Sequence, residues 1–190
     1  MKEKEYPHLM WEEESRTLSA RCRIFDVYSV RKASAKGTSG SFFLLDAPEW
    51  VTVIPCIENP DGTRSFIMVR QFRHGSNSVT LEFPAGVVER GEEPVAAGRR
   101  ELVEETGYEA AEALLLGSVN PNPAFMNNRT HVYLFDGLTL SGEQRFDEHE
   151  DIEVEFVPED VAVARMGTGE FENGIMMIAL GYYLRYRESH

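Results

Sequence analysis

Three glutamates, Glu101, Glu104 and Glu105, stand in a stretch that reads GVVERGEEPVAAGRRELVEETGY from Gly86 to Tyr108. On a helix, Glu101 and Glu105 project from one face, one turn above the other, with Glu104 alongside. Like charges so placed repel by roughly a few tenths of a kcal/mol per pair. A hard divalent cation with oxygen ligands would offset that repulsion, whereas a solvated acidic face simply tolerates it. The carboxylates alone leave both readings open. Arg100, four residues before Glu104, can pair with it and steady one carboxylate. Gly86 permits either a close approach of the chain or a positive φ just ahead of the helix.

These residues need elements to hold them. Pro94 opens a helical stretch that runs to Thr106, where Gly107 stops it. Ahead of it, Leu81 to Gly86 reads as a strand ending in Pro-Ala-Gly. The β-branched run Trp50 to Ile57 and the turn signal Asn59-Pro-Asp-Gly62 predict a hairpin into Phe66 to Phe72. Further strands are expected at Leu114 to Val119, Thr130 to Phe135 and Ile152 to Val157. A short helix should begin at Pro158, and an apolar-rich helix should run from Asn173 to Tyr186. Short alternating runs between Ser15 and Ala47 predict two or three N-terminal strands. The class is α+β.

The spacing is more specific than the residue types. Gly86, five residues, Glu92, seven residues, Arg100-Glu101-Leu102, one residue, Glu104-Glu105, one residue and Gly107 resembles the Nudix box. Tyr108 departs from the pattern, standing where an aliphatic residue is usual. Leu81-Glu-Phe-Pro-Ala-Gly86 is similar to the strand that leads into the box in the nucleoside-diphosphate-sugar, ADP-ribose pyrophosphatase-like branch. The resemblance spans about residues 50–190. It implies a Nudix fold, mixed β-sheets sandwiched between α-helices, with an extra N-terminal antiparallel β-module. The division expected is 1–47 for that module and 48–190 for the hydrolase domain.

By the same resemblance, the activity is magnesium- or manganese-dependent hydrolysis of a pyrophosphate linking a nucleoside to another moiety. ADP-ribose, cleaved to AMP and ribose 5-phosphate, is the first substrate to expect. Another nucleotide sugar, a nucleoside triphosphate, or nucleotide sensing without hydrolysis are the alternatives. Glu101 and Glu105 would be metal ligands, the Ala85 carbonyl would complete the inner set, and Glu104 would be an additional or water-mediated ligand. Glu92 and Arg100, with Gly86 and Gly107, would shape the loop–helix unit. Pro123, sixteen residues beyond Gly107, resembles the proline of the ADP-ribose pyrophosphatase signature, although Pro-Ala-Phe125-Met-Asn-Asn128 replaces the more usual Pro-Gly and acids. The acidic stretch Phe146-Asp-Glu148-His-Glu150-Asp-Ile152 resembles the loop that supplies the general base. On that match Glu148 would deprotonate water and Glu150 would reach a metal, with His149 a weaker base and a solvated charge run the alternative.

Arg70-Gln-Phe-Arg73 matches the branch's arginine-bearing segment. Arg73 is the choice for a phosphate contact because a guanidinium fork suits phosphate oxygens, with Arg70 as a second substrate contact. Glu82 is a candidate acceptor for a base or ribose group. Phe25 or Tyr28 could stack on the base, though packing residues are the plainer description. A homodimer through the N-terminal module is implied.

Composition narrows the partners. The 190 residues carry 19 basic and 32 acidic side chains, a formal net charge of −13. A non-specific nucleic-acid binder needs clustered Lys and Arg, so that class is set aside. Residues 82–105 hold seven acids and 143–160 hold nine, half of the 32 in two short stretches. A bound cation would invert the local sign there and make a phosphate receptor of a repulsive pocket. Cys22 and Cys56 are too few for a disulfide framework or a zinc site. The N-terminal MKEKEYPHLMWEEE has no apolar core of a signal peptide, and no run of ~18 apolar residues predicts a membrane span. A cytoplasmic protein is the expectation.

Overall fold

A run such as Trp50-Val-Thr-Val-Ile-Pro-Cys-Ile, apolar at nearly every position, suits a strand covered on both faces. The computed structural model, which describes residues 6–142, 144 and 151–189, places this run at the centre of a sheet. It forms β4 (Trp50–Glu58), after β1 (Trp11–Arg21), β2 (Asp26–Ser34) and β3 (Ser39–Asp46). There follow β5 (Arg64–Arg73), β6 (Ser78–Glu82), β7 (Ala85–Val87) and α1 (Pro94–Thr106). The chain continues through β8 (Tyr108–Val119), β9 (Thr130–Leu140), β10 (Ile152–Pro158), α2 (Glu159–Arg165) and α3 (Gly174–Arg187).

The chain divides into two compact units, one of residues 1–48 and 120–129, the other of 49–119 and 130–190. In the first, β1, β2 and β3 make an antiparallel sheet in that order. The segment 120–129 joins it through a parallel bridge between Leu45 and Met126 and a hydrogen bond from the Leu45 amide to the Phe125 carbonyl, 2.7 Å. Nothing local in the sequence signals this association, because the two segments are about 80 residues apart.

In the second unit the strand order is β10-β5-β4-β9-β8, with β6 added on β5 and β7 on β4. β4 and β9 are parallel, and the other pairs are antiparallel. Alternate residues of β4 feed two cores. Ile54 and Cys56 pack with Phe66, Met68 and Leu180 on one side, while Val51 and Val53 pack with Ala97, Leu102 and Phe135 on the other. Helices cover both faces, which is the sandwich the resemblance implies.

Several boundaries differ from the sequence reading, β1 beginning at Trp11 and β9 running on to Leu140 among them, and two of the differences flank α1. The single strand expected over Leu81 to Gly86 is two, because Pro84 has no N–H to donate and the chain changes partner there: β6 pairs with β5, β7 with β4. β8 begins at Tyr108, six residues before the expected start, since Gly107 turns the chain directly from helix to strand. Both cysteines are free, Cys22 exposed and Cys56 buried. No helix among the described residues is long and apolar enough to cross a membrane.

Candidate active site

Helix α1 is fixed at both ends by its own sequence. Pro94 takes the first turn, and Gly107, at φ 75°, returns its amide to the Val103 carbonyl at 2.9 Å. Gly98 lets the helix lie close on the sheet: a Cβ there would stand 2.8 Å from Val53 Cγ1. With Ala97, Gly98 and Leu102 turned inward, the glutamates fall along the side that faces β7.

The pairing of β7 decides what they meet. Val53 donates to the Pro84 carbonyl and Val88 to that of Glu49, so by strand alternation Ala85 and Val87 direct their backbone groups away from β4. The Ala85 amide donates to Glu105 Oε2 at 3.3 Å, and the Val87 carbonyl accepts from Arg100 at 3.0 Å. The Ala85 carbonyl lies on the same edge. Gly86 resolves its two options in favour of close approach: a Cβ there would lie 1.9 Å from Glu101 Oε1. The Glu101 carboxylate occupies the space of the missing side chain.

Arg100 ties the unit together. Its guanidinium bonds both oxygens of Glu92 at 3.1 Å, Glu101 at 2.8 Å and Glu104 at 3.1 Å. Glu92 also accepts the Glu89 amide at 2.9 Å, which closes the loop between β7 and α1. The hydrogen bonds from Arg100 outweigh modest burial and hold the Glu92 carboxyl below its ordinary range. Glu92 foremost, the same partners push Arg100 still higher. At the far end of the helix Gln144 donates to the Glu105 carbonyl at 2.7 Å.

The NUDIX domain profile matches residues 48–175. The chain belongs to the Nudix family. It is similar to an ADP-ribose pyrophosphatase of Bacillus subtilis (strain 168), 30% identical over 168 residues and 88% of each chain. It is also 42% identical over 93 residues to an ADP-sugar pyrophosphatase of Mus musculus, covering 49% of this chain and 41% of that one. Among solved structures, one described as an ADP compounds hydrolase superposes with a TM-score of 0.83 over 95% of this chain and 96% of the other, at 22% identity. That likeness is one of fold.

The Nudix unit's donors suit a divalent cation in kind: glutamate oxygens and a backbone carbonyl beside a bare glycine Cα. Among the described residues, no three acidic, histidine or cysteine side chains already converge as a cage. The carboxylates are spread across Arg100 and the Ala85 amide. Ligation would draw Glu101 and Glu104 from Arg100, which keeps Glu92 and the Val87 carbonyl.

Behind β7 lies a cavity of about 270 Å³, walled by β4, β6, β7 and the start of α3. Arg73 and Glu82 meet there. Glu82, almost fully buried, accepts Arg73 Nε at 3.0 Å, Arg73 Nη2 at 2.7 Å and Thr80 Oγ1 at 2.5 Å. Burial pushes its pKa up, but Arg73, Thr80 and Asn173 together outweigh that and leave it lowered. Glu82 therefore holds Arg73 in place and has little acceptor capacity left for a ligand. Arg70 goes elsewhere, to Glu155 at 2.5 Å and Glu170 at 3.1 Å. Three residues apart on β5, the two arginines take opposite faces.

Pro123 lies in a turn of the first unit, where the Met126 amide bonds the Asn122 carbonyl at 2.9 Å. Tyr28, in the same unit, is half-buried under the Arg16 guanidinium, 5.3 Å from its ring. Glu148, His149 and Glu150 lie outside the described residues. The sequence reading missed Trp50, Thr52 and Asn173 as cavity residues. Asn173 carried a signal, since it caps α3 by accepting the Ile175 amide at 2.7 Å; the other two read as ordinary strand positions.

Proposed function

We propose that this protein is a metal-dependent Nudix pyrophosphatase that cleaves a nucleoside diphosphate sugar, ADP-ribose before others, giving AMP and ribose 5-phosphate. The observation that carries the reading is the seating of the Glu101 carboxylate against Gly86, with Glu105 on the Ala85 amide one turn away. Glu101, Glu105 and the Ala85 carbonyl would hold Mg²⁺ or Mn²⁺, with Glu104 as a further ligand. Such an ion, when bound, neutralises pyrophosphate oxygens and lowers the pKa of an attacking water.

The chain's own residues do the positioning. Arg100 and Glu92 fix β7 against α1, so that the Ala85 carbonyl and the carboxylates share one edge. Arg73, oriented by Glu82, is the contact assigned to a substrate phosphate. Glu148 would take the proton of the attacking water and Glu150 would add an oxygen ligand to the ion, both roles resting on the resemblance of their segment. The names of the Bacillus subtilis and mouse relatives support the choice of substrate class. A homodimer through β1 to β3 accords with the exposed Trp11, Leu18, Phe42 and Phe43 of that sheet. Its mass in solution by light scattering tests that part.

Turnover of ADP-ribose, other nucleotide sugars and nucleoside triphosphates, each with Mg²⁺, Mn²⁺ or EDTA, tests the whole. AMP release from ADP-ribose that EDTA abolishes is expected. Preference for a triphosphate, or ADP-ribose binding without turnover under either metal, would overturn it.

A further inference from the structure

Thr80 is 2% exposed, and its Oγ1 donates to Glu82 Oε1 at 2.5 Å. The register of β6 on β5 explains why the two meet where they do. Arg73 stands opposite Ser78, and Ser78, Thr80 and Glu82 alternate onto one face of β6. To reach Glu82, the Arg73 side chain therefore crosses the position of Thr80. The threonine lies under the ion pair, buried too deeply to touch a substrate itself.

The pair has a fixed end and a held end. The Arg73 side chain is 41% exposed and that of Glu82 4%, so the carboxylate is the anchor. Two parallel hydrogen bonds from Arg73 require the two groups to share a plane. The terminal torsion of a glutamate is broad and roughly two-fold, so the chain of Glu82 does not set that plane by itself. Thr80 can set it, because β-branching restricts its χ1 and brings its hydroxyl to Oε1 from one direction. Asn173, whose Oδ1 is committed to the Ile175 amide, bonds the same carboxylate from the start of α3. An apolar residue would fill position 80 equally well, but would leave the carboxylate to be oriented by the very group it has to hold.

We propose that Thr80 is a positioning residue: its hydroxyl sets the plane of the Glu82 carboxylate, which in turn fixes the Arg73 guanidinium for the substrate phosphate. The inference rests on the phosphate contact assigned to Arg73 above. It extends the binding machinery to a side chain that no substrate touches. A bond that only satisfied a buried carboxylate would be felt in stability alone, whereas a positioning bond is also felt in substrate affinity.

The test compares wild type, Thr80→Val and Thr80→Ser on ADP-ribose with Mg²⁺, each also in an Arg73→Gln background. Valine keeps the volume and the β-branching and removes the donor, whereas serine keeps the donor. Thr80→Val should raise KM on the order of 3- to 10-fold with kcat unchanged, because a ground-state contact is loosened. Thr80→Ser should restore most of the wild-type KM. With Arg73→Gln, Thr80→Val should have no further effect on kcat/KM, since the group it positions is gone. An unchanged KM in Thr80→Val, a serine variant no better than valine, or a full additional loss in the Arg73→Gln background would overturn the assignment, whatever the melting temperatures. Should the valine variant not fold, Thr80→Ala is read in the same way. If wild type hydrolyses no nucleotide sugar, the functional proposal fails. Urea unfolding of Thr80→Val, Arg73→Gln and the double variant then judges Thr80 alone: non-additive losses of stability support the link, and additive ones reject it.

Discussion

Residue 86 is where the site is least forgiving. Any side chain there would share the space of the Glu101 carboxylate, at 1.9 Å from Oε1. Gly86→Ala should therefore displace Glu101 and lower kcat on the order of 10²-fold, with a far smaller change in melting temperature because the displaced group is a flexible side chain. Glu105→Gln keeps the volume and removes the charge. It should cost on the order of 10²-fold or more in kcat, with the far-ultraviolet circular dichroism unaltered. Glu82 belongs to a different class, since its work is to hold Arg73. Glu82→Gln should destabilise the fold by roughly 2 kcal/mol in urea at pH 7, less than for a fully buried pair because Arg73 can turn to solvent. Because the folded-state pKa of Glu82 is lowered, its charge stabilises the native state above the ordinary carboxylate range, and that contribution disappears as pH falls through the folded value. The stability gap between wild type and Glu82→Gln should accordingly narrow on acidification below about pH 4. A gap that stays constant down to pH 3 would show the pair to be energetically idle.

At the level of elements, α1 carries its own specification. Gly107 holds φ 75°, and a Cβ there would also lie 2.7 Å from the Gly142 carbonyl oxygen. Gly107→Ala should cost at least about 1 kcal/mol in a urea titration, with metal-dependent turnover lost earlier in urea than in wild type. The helix was legible in the sequence for the same reason: Pro94 and Gly107 are local stops whose meaning does not depend on the rest of the chain. The carboxylate spacing was legible too, because it follows from the 3.6-residue repeat, whereas Gly86 left a close approach and a positive φ both open until its contact with Glu101 was known. What sequence could not reveal was pairing at a distance. The change of partner at Pro84, the adoption of residues 120–129 by the N-terminal sheet and the meeting of Glu82 with Arg73 and Asn173 depend on register between separated strands.

Across the whole molecule, charge and strand order act together. A chain at −13 that gathers half its acids in two stretches should gain stability from divalent cations well beyond what ionic strength supplies. Millimolar Mg²⁺ should raise the melting temperature more than sodium chloride of equal ionic strength, and Glu101→Gln with Glu105→Gln should erase the difference. Strand β4 adds a kinetic aspect. It pairs with β9 on one edge, and on the other with β7 over Trp50–Thr52 and β5 over Cys56–Glu58. A strand flanked on both sides cannot fray, so its amide hydrogens should exchange with deuterated solvent only through global opening. β7, whose outer edge meets side chains of α1 and not another strand, should exchange its outward amides sooner. The wall that bears Trp50 and Thr52 is then the slowest clock in the protein, and the three-residue strand laid against it is a fast one. Substrate would meet a fixed surface on one side and a compliant one on the other.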